Sequence, residues 1–223
     1  MSGQVEDPTT TFPGKEAPPT RIILLRHGAA GGSEKALFIS RTNVDLLPEG
    51  EGQVKDAARR AARWFESAVE VLIFSSPLLR AKRSAEIFRA GLALGVNVTS
   101  TSVVDDLIEL DLGRWEGESY ESLMAKDPER MKRHYANFVT SKSPGGESVA
   151  DLAARVRPAM EEIRRGAGGR VAVVAAHAAV NRVIVSDALG APLENFFRIE
   201  LGLGSLCVID YHAEAPLVRL LNG

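Results

Sequence analysis

Short continuous apolar runs alternate along this chain with longer amphipathic segments, and this alternation restricts the fold more than any other feature. The runs at residues 22–25, 71–74 and 171–175 lack the alternating polar residues of a half-exposed strand. They are therefore predicted to be parallel strands buried on both faces. Such strands need helices on both sides of the sheet. We predict an α/β fold, a three-layer sandwich with a mostly parallel central sheet.

The segments between these runs place apolar side chains at helical spacing, which predicts amphipathic helices on the sheet. These helices are predicted at residues 50–68, 80–91, 147–165 and 178–189. Two strands, predicted at 206–211 and 217–221, complete the chain as a hairpin. Residues 112–146 show no strong strand pattern and contain Asp127-Pro128, so they are predicted to form a small, partly helical insertion.

The length and composition predict one folded domain. A chain of 223 residues with 45% hydrophobic content can fill one core but not two full-sized ones. Residues 1–20 carry four prolines and no apolar signal-peptide core, so we expect a disordered N-terminal tail. Residues 21–223 are then the single domain.

Charge and cysteine content exclude several classes of function. A net charge of -2 and a pI near 6.1 give no basic excess for nucleic acid. No apolar stretch is long enough to span a bilayer, so no membrane partner is expected. A single cysteine, Cys207, fits a reducing, cytoplasmic compartment. We expect no metal site and no cofactor, and a homodimer is left open as the assembly.

Basic side chains stand at the ends of the three predicted parallel strands. The first strand ends in Arg26, His27 and Gly28, the third ends at His177, and the residues after the second lead to Arg80 at the start of a helix. Strand ends of such sheets place ligand-binding groups together, and helix N-termini attract anions. Two guanidiniums and two imidazoles are suited to a phosphate dianion. Each residue alone would be ordinary, but the set predicts a phosphate site.

With these residues in place, the chain resembles the histidine phosphatase superfamily, in its phosphoglycerate-mutase-like branch. The resemblance covers nearly everything after Arg21 and rests on an ordered set of short motifs. They are LRHG at 25–28, RTNVDL at 41–46, SSPLLRA at 75–81, LIELDLGRWEG at 107–117, PGGES at 144–148 and VVAAH at 173–177.

The resemblance implies a role for each residue of the predicted phosphate site. By it, His27 is the residue that is phosphorylated, and Arg26, Arg80 and His177 complete the phosphate pocket. Glu109 is implied as the proton donor to the leaving oxygen, for which it must carry a proton when substrate is bound. A solvated surface carboxylate is the alternative for Glu109.

Further residues are expected to contact the substrate. They are Arg26 and Arg80 again, with Gly28, Arg41 and Ala178. The chain also departs from the family pattern, since Ala30 stands where a hydroxyl residue is usual and Ser40 where a glycine is usual. These departures affect the fit of substrate more than the nucleophile.

One peripheral feature, Glu147 with Ser148, has competing interpretations. Glu147 and Ser148 either line the mouth of the pocket or begin a helix, since Ser148 and Asp151 also have the spacing of a capping pair. His134 is expected to be a surface residue.

The expected activity is hydrolysis of small phosphate monoesters through a phosphohistidine, without a metal ion. The main alternative is phosphoglycerate mutase, which returns the phosphoryl group to a bound acid, but the insertion is short for that enzyme. An α-ribazole-phosphate phosphatase is one specific alternative, suggested by residues 38–46. A catalytically inactive binding protein is disfavoured because all the pocket residues are present.

Overall fold

The computed structural model describes residues 18–65, 70–92 and 96–223. The predicted tail therefore lies outside the described residues except at 18–20. Six strands form one mixed sheet in the order β3-β2-β4-β1-β5-β6. The strands are β1 (Thr20–Arg26), β2 (Glu70–Ser75), β3 (Asn97–Val103), β4 (Val171–Ala176), β5 (Leu206–Tyr211) and β6 (Pro216–Leu220).

The sheet is mostly parallel, as predicted. β3, β2, β4 and β1 pair in parallel, whereas β5 runs antiparallel to both β1 and β6. The α-helices of the described residues are α1 (Pro48–Ala61), α2 (Leu79–Ala90), α3 (Tyr120–Lys126), α4 (Pro128–Ala136), α5 (Val149–Ala167) and α6 (Ala178–Ala188). Among them, none is both long and apolar enough to cross a bilayer.

Alternate residues of the central strands pack against opposite helical layers. In β1, Ile22 and Leu24 pack in the core formed with α5 and α6. Ile23 and Leu25 pack in the core formed with α1 and α2. All four side chains are fully buried. The continuous apolar run thus arises because both faces of β1 are covered, which confirms the three-layer sandwich.

The structure corrects the prediction in three places. β3 is an additional edge strand, which the sequence analysis missed because it is largely exposed and rich in Thr and Ser. Helix α1 begins earlier, with Leu47 at the N-cap and Pro48 in the first turn, and ends at Ala61. A 3-10 turn over Ala62–Trp64 follows. Residues 66–68 of the predicted helix lie outside the described residues.

The start of α5 shows that Ser148 is the N-cap of a helix. The helix begins at Val149, because Ser148 and Asp151 form a capping box: each side chain accepts a hydrogen bond from the other's backbone N–H. Within the insertion, α3 and α4 are short helices capped by Ser119 and Asp127.

The exit from β1 is held against the first turn of α1 by two glycines. A Cβ atom on Gly28 would overlap the carbonyl oxygen of Gly50, and a Cβ atom on Gly50 would overlap that of Ala29. The two backbones are therefore in direct contact immediately after His27. This contact fixes where the end of β1 lies relative to α1.

Alanine substitutions in α1 should separate this contact from ordinary helix propensity. Gly50→Ala should lower the free energy of unfolding by roughly 1–3 kcal/mol, because the methyl group has no space. Gly52→Ala, two residues along, should raise it by roughly 0.5–1 kcal/mol, because nothing lies within 4 Å of its added Cβ atom. Denaturant unfolding measures both. Equal effects of the two substitutions would contradict the packing argument.

Candidate active site

The carboxyl ends of three parallel strands bring the predicted basic residues to one edge of the sheet. His27 follows β1, Ser76 follows β2 and His177 follows β4. The ring centroids of His27 and His177 are 5.1 Å apart, so one small anion can contact both imidazoles. His27 is 8% exposed and His177 is fully buried. The structure therefore brings together the two imidazoles that the sequence analysis expected to converge.

The hydrogen bonds of His27 assign its tautomer. Its Nδ1 lies 2.8 Å from the carbonyl oxygen of Gly28, which can only accept, so Nδ1 carries the proton. Its Nε2 accepts a hydrogen bond of 3.2 Å from Nε of Arg80. The lone pair of His27 is therefore on Nε2, and this nitrogen faces a cation.

Arg80 is almost fully buried, at 1% exposure, and its guanidinium is held by the backbone. Nη1 donates to the carbonyl oxygen of Thr42 at 2.9 Å and Nη2 to that of Ser40 at 2.5 Å. With the bond to His27, these contacts use three of the five N–H donors of a guanidinium. The other two N–H donors of Arg80 therefore remain for a ligand.

The surroundings keep the His27 imidazole neutral. Burial is the largest cause and the charges of Arg80 and Arg26 add to it, lowering the pKa of His27 to about 3. Burial also lowers the pKa of His177 well below its usual value, with His27 and the two arginines acting in the same direction. Near neutral pH both rings are therefore uncharged, and Nε2 of His27 keeps a free electron pair for attack on an electrophile.

Two buried donors of the site have no partner among the described residues. They are Nδ1 of His177 and Nε of Arg26. Ser76 Oγ accepts from the backbone N–H of Leu78 and lies 2.7 Å from Nε2 of His177, so its own hydrogen can go to that nitrogen. This arrangement leaves the proton of His177 on Nδ1. Buried donors without partners are costly, and an oxyanion would satisfy both.

Arg26 and Glu109 complete the charges of the site. Arg26 donates through Nη1 to the carbonyl oxygen of Leu201 at 2.5 Å. Burial lowers the pKa of Arg26 and of Arg80, and the negative charge of Glu109 opposes that effect at both. The carboxylate of Glu109 accepts from the backbone N–H of Ala179, in the first turn of α6, at 3.3 Å. Glu109 is thus fixed beside both arginines.

The residues expected to contact substrate have different surroundings. Gly28 approaches Gly50 closely, and its N–H is 3.4 Å from Ser84 Oγ. Arg41 forms ion pairs of 3.1 Å with Asp111 and with Glu147, and its side chain is 35% exposed. Its charge is therefore already balanced within the protein. Ala178 begins α6 beside Glu109 and lines an adjoining cavity. Contact of these three residues with substrate stays a prediction.

One carboxylate, which the sequence analysis did not single out, holds the loop that carries the partners of Arg80. Glu116 accepts backbone N–H bonds from Ser40, Arg41 and Thr42, at 2.9 to 3.1 Å. Burial acts to raise the pKa of Glu116, but these hydrogen bonds and one with the Thr42 side chain keep it below its usual value. The carbonyls of residues 40 and 42 are thereby oriented toward Arg80.

Sequence reasoning also gave no role to Ser76, although it lies in the SSPLLRA motif. The signal for Ser76 and Glu116 was their place in short motifs, but only the fold shows which amide or imidazole each one contacts.

For His134 the surface expectation was wrong. It is half-buried, with its ring 4.6 Å from that of Trp115 and 5.5 Å from that of Tyr135. Across the described ranges, no cluster of three or more His, Cys, Asp or Glu side chains could hold a metal ion.

Comparison with known proteins assigns the chain to a family. The model of the histidine phosphatase superfamily (branch 1) matches residues 22–223. A bifunctional protein of Mycobacterium tuberculosis is 36% identical over 97% of this chain, and the chain spans 58% of that relative's length. Phosphoserine phosphatase 1 of Hydrogenobacter thermophilus is 28% identical, with 91% of this chain and 92% of the relative covered. A probable phosphoglycerate mutase of Salmonella paratyphi C is 30% identical, with coverage of 86% and 85%.

Solved structures share the fold. A mycobacterial glucosyl-3-phosphoglycerate phosphatase in complex with VO3 aligns with a TM-score of 0.76 and 25% identity, covering 92% of this chain and 99% of the other. A structure described as a putative α-ribazole-5'-P phosphatase from Escherichia coli K-12 gives a TM-score of 0.77 at 20% identity, with coverage of 92% and 97%. At that identity the second likeness concerns the fold alone.

The lowered pKa of His27 predicts a contribution to acid unfolding. Unfolded histidine has a pKa near 6.5, so between there and about pH 3 the unfolded state binds a proton that folded His27 does not. Stability should therefore fall as the pH falls through this window. In His27→Asn, the slope of unfolding free energy against pH should be smaller by up to about 1.4 kcal/mol per pH unit. Urea unfolding between about pH 4.5 and 6 measures it; parallel curves for the two proteins would refute the assignment.

The contacts of Glu116 predict that it positions Arg80. Glu116→Gln removes the charge that holds the amides of residues 40–42, so affinity for inorganic phosphate should fall about tenfold, equivalent to about 1.4 kcal/mol. The matched control is Glu118→Gln, because Glu118 bonds Ser122 and Lys126 outside the site. Calorimetric titration with phosphate measures both. Equal affinities of the two variants would show that Glu116 does not act on the site.

Proposed function

The chain belongs to the histidine phosphatase superfamily, and we propose that it is a phosphatase that hydrolyses small phosphate monoesters through a phosphohistidine on His27. The observation that carries this proposal is the state of His27 Nε2. It holds a lone pair, faces Arg80, and lies in a site with two buried, unpartnered donors. This supports the proposal, because preorganised donors beside a nucleophile are what phosphoryl transfer needs.

In the first step, His27 Nε2 attacks the phosphorus atom as the bond from phosphorus to the ester oxygen breaks. Arg80 Nε–H, which points at Nε2 in the free site, can then donate to a phosphoryl oxygen instead. His177 Nδ1–H and Arg26 Nε–H supply the other donors to the oxygens. Phosphoryl transfer depends chiefly on such positioning and neutralisation of charge, so this set can supply most of the catalysis.

Glu109 is the proposed acid for the leaving group. In the first step Glu109 acts with a proton on its carboxyl group. That proton passes to the leaving oxygen, so the first product is a neutral alcohol. In the second step the Glu109 carboxylate takes a proton from water as the water oxygen attacks phosphorus. The bond from nitrogen to phosphorus breaks, and inorganic phosphate and free His27 result.

Phosphoglycerate mutase is the second candidate, favoured by the relative from Salmonella paratyphi C. A mutase would return the phosphoryl group of His27 to a bound acid and would need a bisphosphorylated primer. Arg41 and Arg182 are basic residues near the site that could meet such an acid, but Asp111 and Glu147 pair with Arg41, and Arg182 donates to the carbonyl oxygen of Ile199. We therefore favour hydrolysis. A small phosphorylated molecule as partner, independence of metal ions and a cytoplasmic location are parts of the same proposal.

Phosphate release in the presence of EDTA tests the nucleophile and the need for metal together. The wild-type protein should release phosphate from a panel of monoesters without a primer. His27→Ala should lower kcat/KM at least about a thousandfold, because the residue that forms the intermediate is absent. Alkaline quenching should trap labelled phosphate on the wild-type protein in an acid-labile form.

The matched control is His212→Ala, because His212 lies in the connection between β5 and β6, away from the site. It should retain activity. Loss of activity in EDTA, or full activity in His27→Ala, would overturn the proposal. Turnover only with a bisphosphorylated primer would establish the mutase.

A further inference from the structure

A cavity of about 250 Å³ adjoins the phosphate site and is lined mainly by apolar side chains, several of which are aromatic. It shares its inner wall with the site, because Ser40, Glu109 and Ala179 line the cavity and also take part in the hydrogen bonds of the site. The proposed acid, Glu109, therefore stands between the reacting phosphorus and the cavity. We call this cavity the ring-lined cavity. Its aromatic side chains are Phe38, Trp115, Tyr135, Phe138, Phe196 and Phe197.

At the outer wall Phe197 contacts three rings, those of Phe138 and Phe196 edge to face and that of Tyr135 at a tilt. Phe197 lies 4.6 Å from Phe138, 5.2 Å from Phe196 and 5.9 Å from Tyr135, measured between ring centroids. Despite these three contacts, Phe197 is 51% exposed. Ring pairs at such distances gain from their quadrupoles, and a further ring placed on this wall would find the same geometry. The wall leaves a large apolar surface in water next to the site.

The polar groups of the cavity are mostly engaged within the protein. Glu147 pairs with Arg41 and Arg155. Arg182 donates to the carbonyl oxygen of Ile199 at 2.8 Å, and its guanidinium lies 5.3 Å from the centroid of Phe196. The remaining donors of Arg182 can meet an anion, whereas the carboxylates of Glu109 and Glu147 repel one, so charge alone does not select the substituent. The ring wall does select, because it favours an uncharged, flat group.

We propose that the ring-lined cavity receives the alcohol part of the substrate, and that this protein prefers phosphate monoesters whose alcohol carries an uncharged aromatic ring. This inference rests on the proposed function, since it names the substrate class of the same site. The volume suffices, because a cavity of roughly 150 Å³ already holds benzene. The ester oxygen would lie beside Glu109, and the ring would cover Phe197.

Small phosphorylated acids fit this cavity less well. Phosphoserine and phosphoglycerate would leave the ring wall in water, and so gain nothing from burying apolar surface against it. The ring wall should therefore favour the aromatic ester.

Two esters with similar leaving groups test the preference. 2-Phenylethyl phosphate and ethyl phosphate both release a primary alcohol, so their intrinsic reactivities are close and the ring is the main difference. The wild-type protein should show a kcat/KM for 2-phenylethyl phosphate roughly ten- to hundredfold above that for ethyl phosphate. It should also be above that for phosphoserine.

Substitution of an exposed ring tests the place of binding. Phe197→Ala should lower the ratio of kcat/KM values for the two esters about fivefold, because the ring loses part of its wall. Leu189→Ala is the matched control: Leu189 is also 51% exposed but lies outside the cavity, at the end of α6. It should leave the ratio unchanged.

The outcomes separate this inference from the proposed function. Turnover of both esters with equal kcat/KM, or a preference for phosphoserine, would overturn the substrate class while the phosphatase stands. An unchanged ratio in Phe197→Ala would overturn the cavity as the binding place. No turnover of any ester would overturn the proposed function and this inference with it.

Discussion

A buried positive charge at Arg80 is the constraint on which the rest of the site depends. A guanidinium removed from water is costly unless its donors are paired. In this protein the pairing comes from two backbone carbonyls, at Ser40 and Thr42, and from the lone pair of His27. The same contact that satisfies Arg80 therefore directs Nε2 of His27, and burial together with the Arg80 charge keeps the imidazole neutral. One set of contacts therefore orients both the His27 ring and the Arg80 guanidinium.

That arrangement extends into the fold through backbone contacts. The carbonyls that accept from Arg80 are oriented by Glu116, and Asn43 Oδ1 accepts from the N–H of Leu79 in the first turn of α2 at 2.7 Å. On the other side, His27 is followed at once by the contact between Gly28 and Gly50. The site is therefore fixed by main-chain packing on both sides, and side-chain changes far from the phosphate can still move it.

These links also explain what the sequence could and could not predict. The strands β1, β2 and β4 were predictable because burial on both faces leaves a continuous apolar run, and their ends identified His27 and His177. β3 was missed because an exposed edge strand of Thr and Ser has no such run. The pairing of Arg41 with two carboxylates depends on loops that meet only in the folded chain, so no local pattern contains it.

In the proposed function, chemistry and recognition are carried by different parts of this molecule. The groups that face the phosphate follow β1, β2 and β4, or begin the helix after β2, where the sheet fixes them. The rings of the ring-lined cavity come instead from connecting segments: Phe38 from the loop after β1, Tyr135 and Phe138 from the insertion, and Phe197 from the segment after α6. Connecting segments tolerate change that strand ends do not. In the proposed function the strand ends hold the phosphoryl group and the ring-lined cavity selects the alcohol, so proteins that share this fold can differ in substrate.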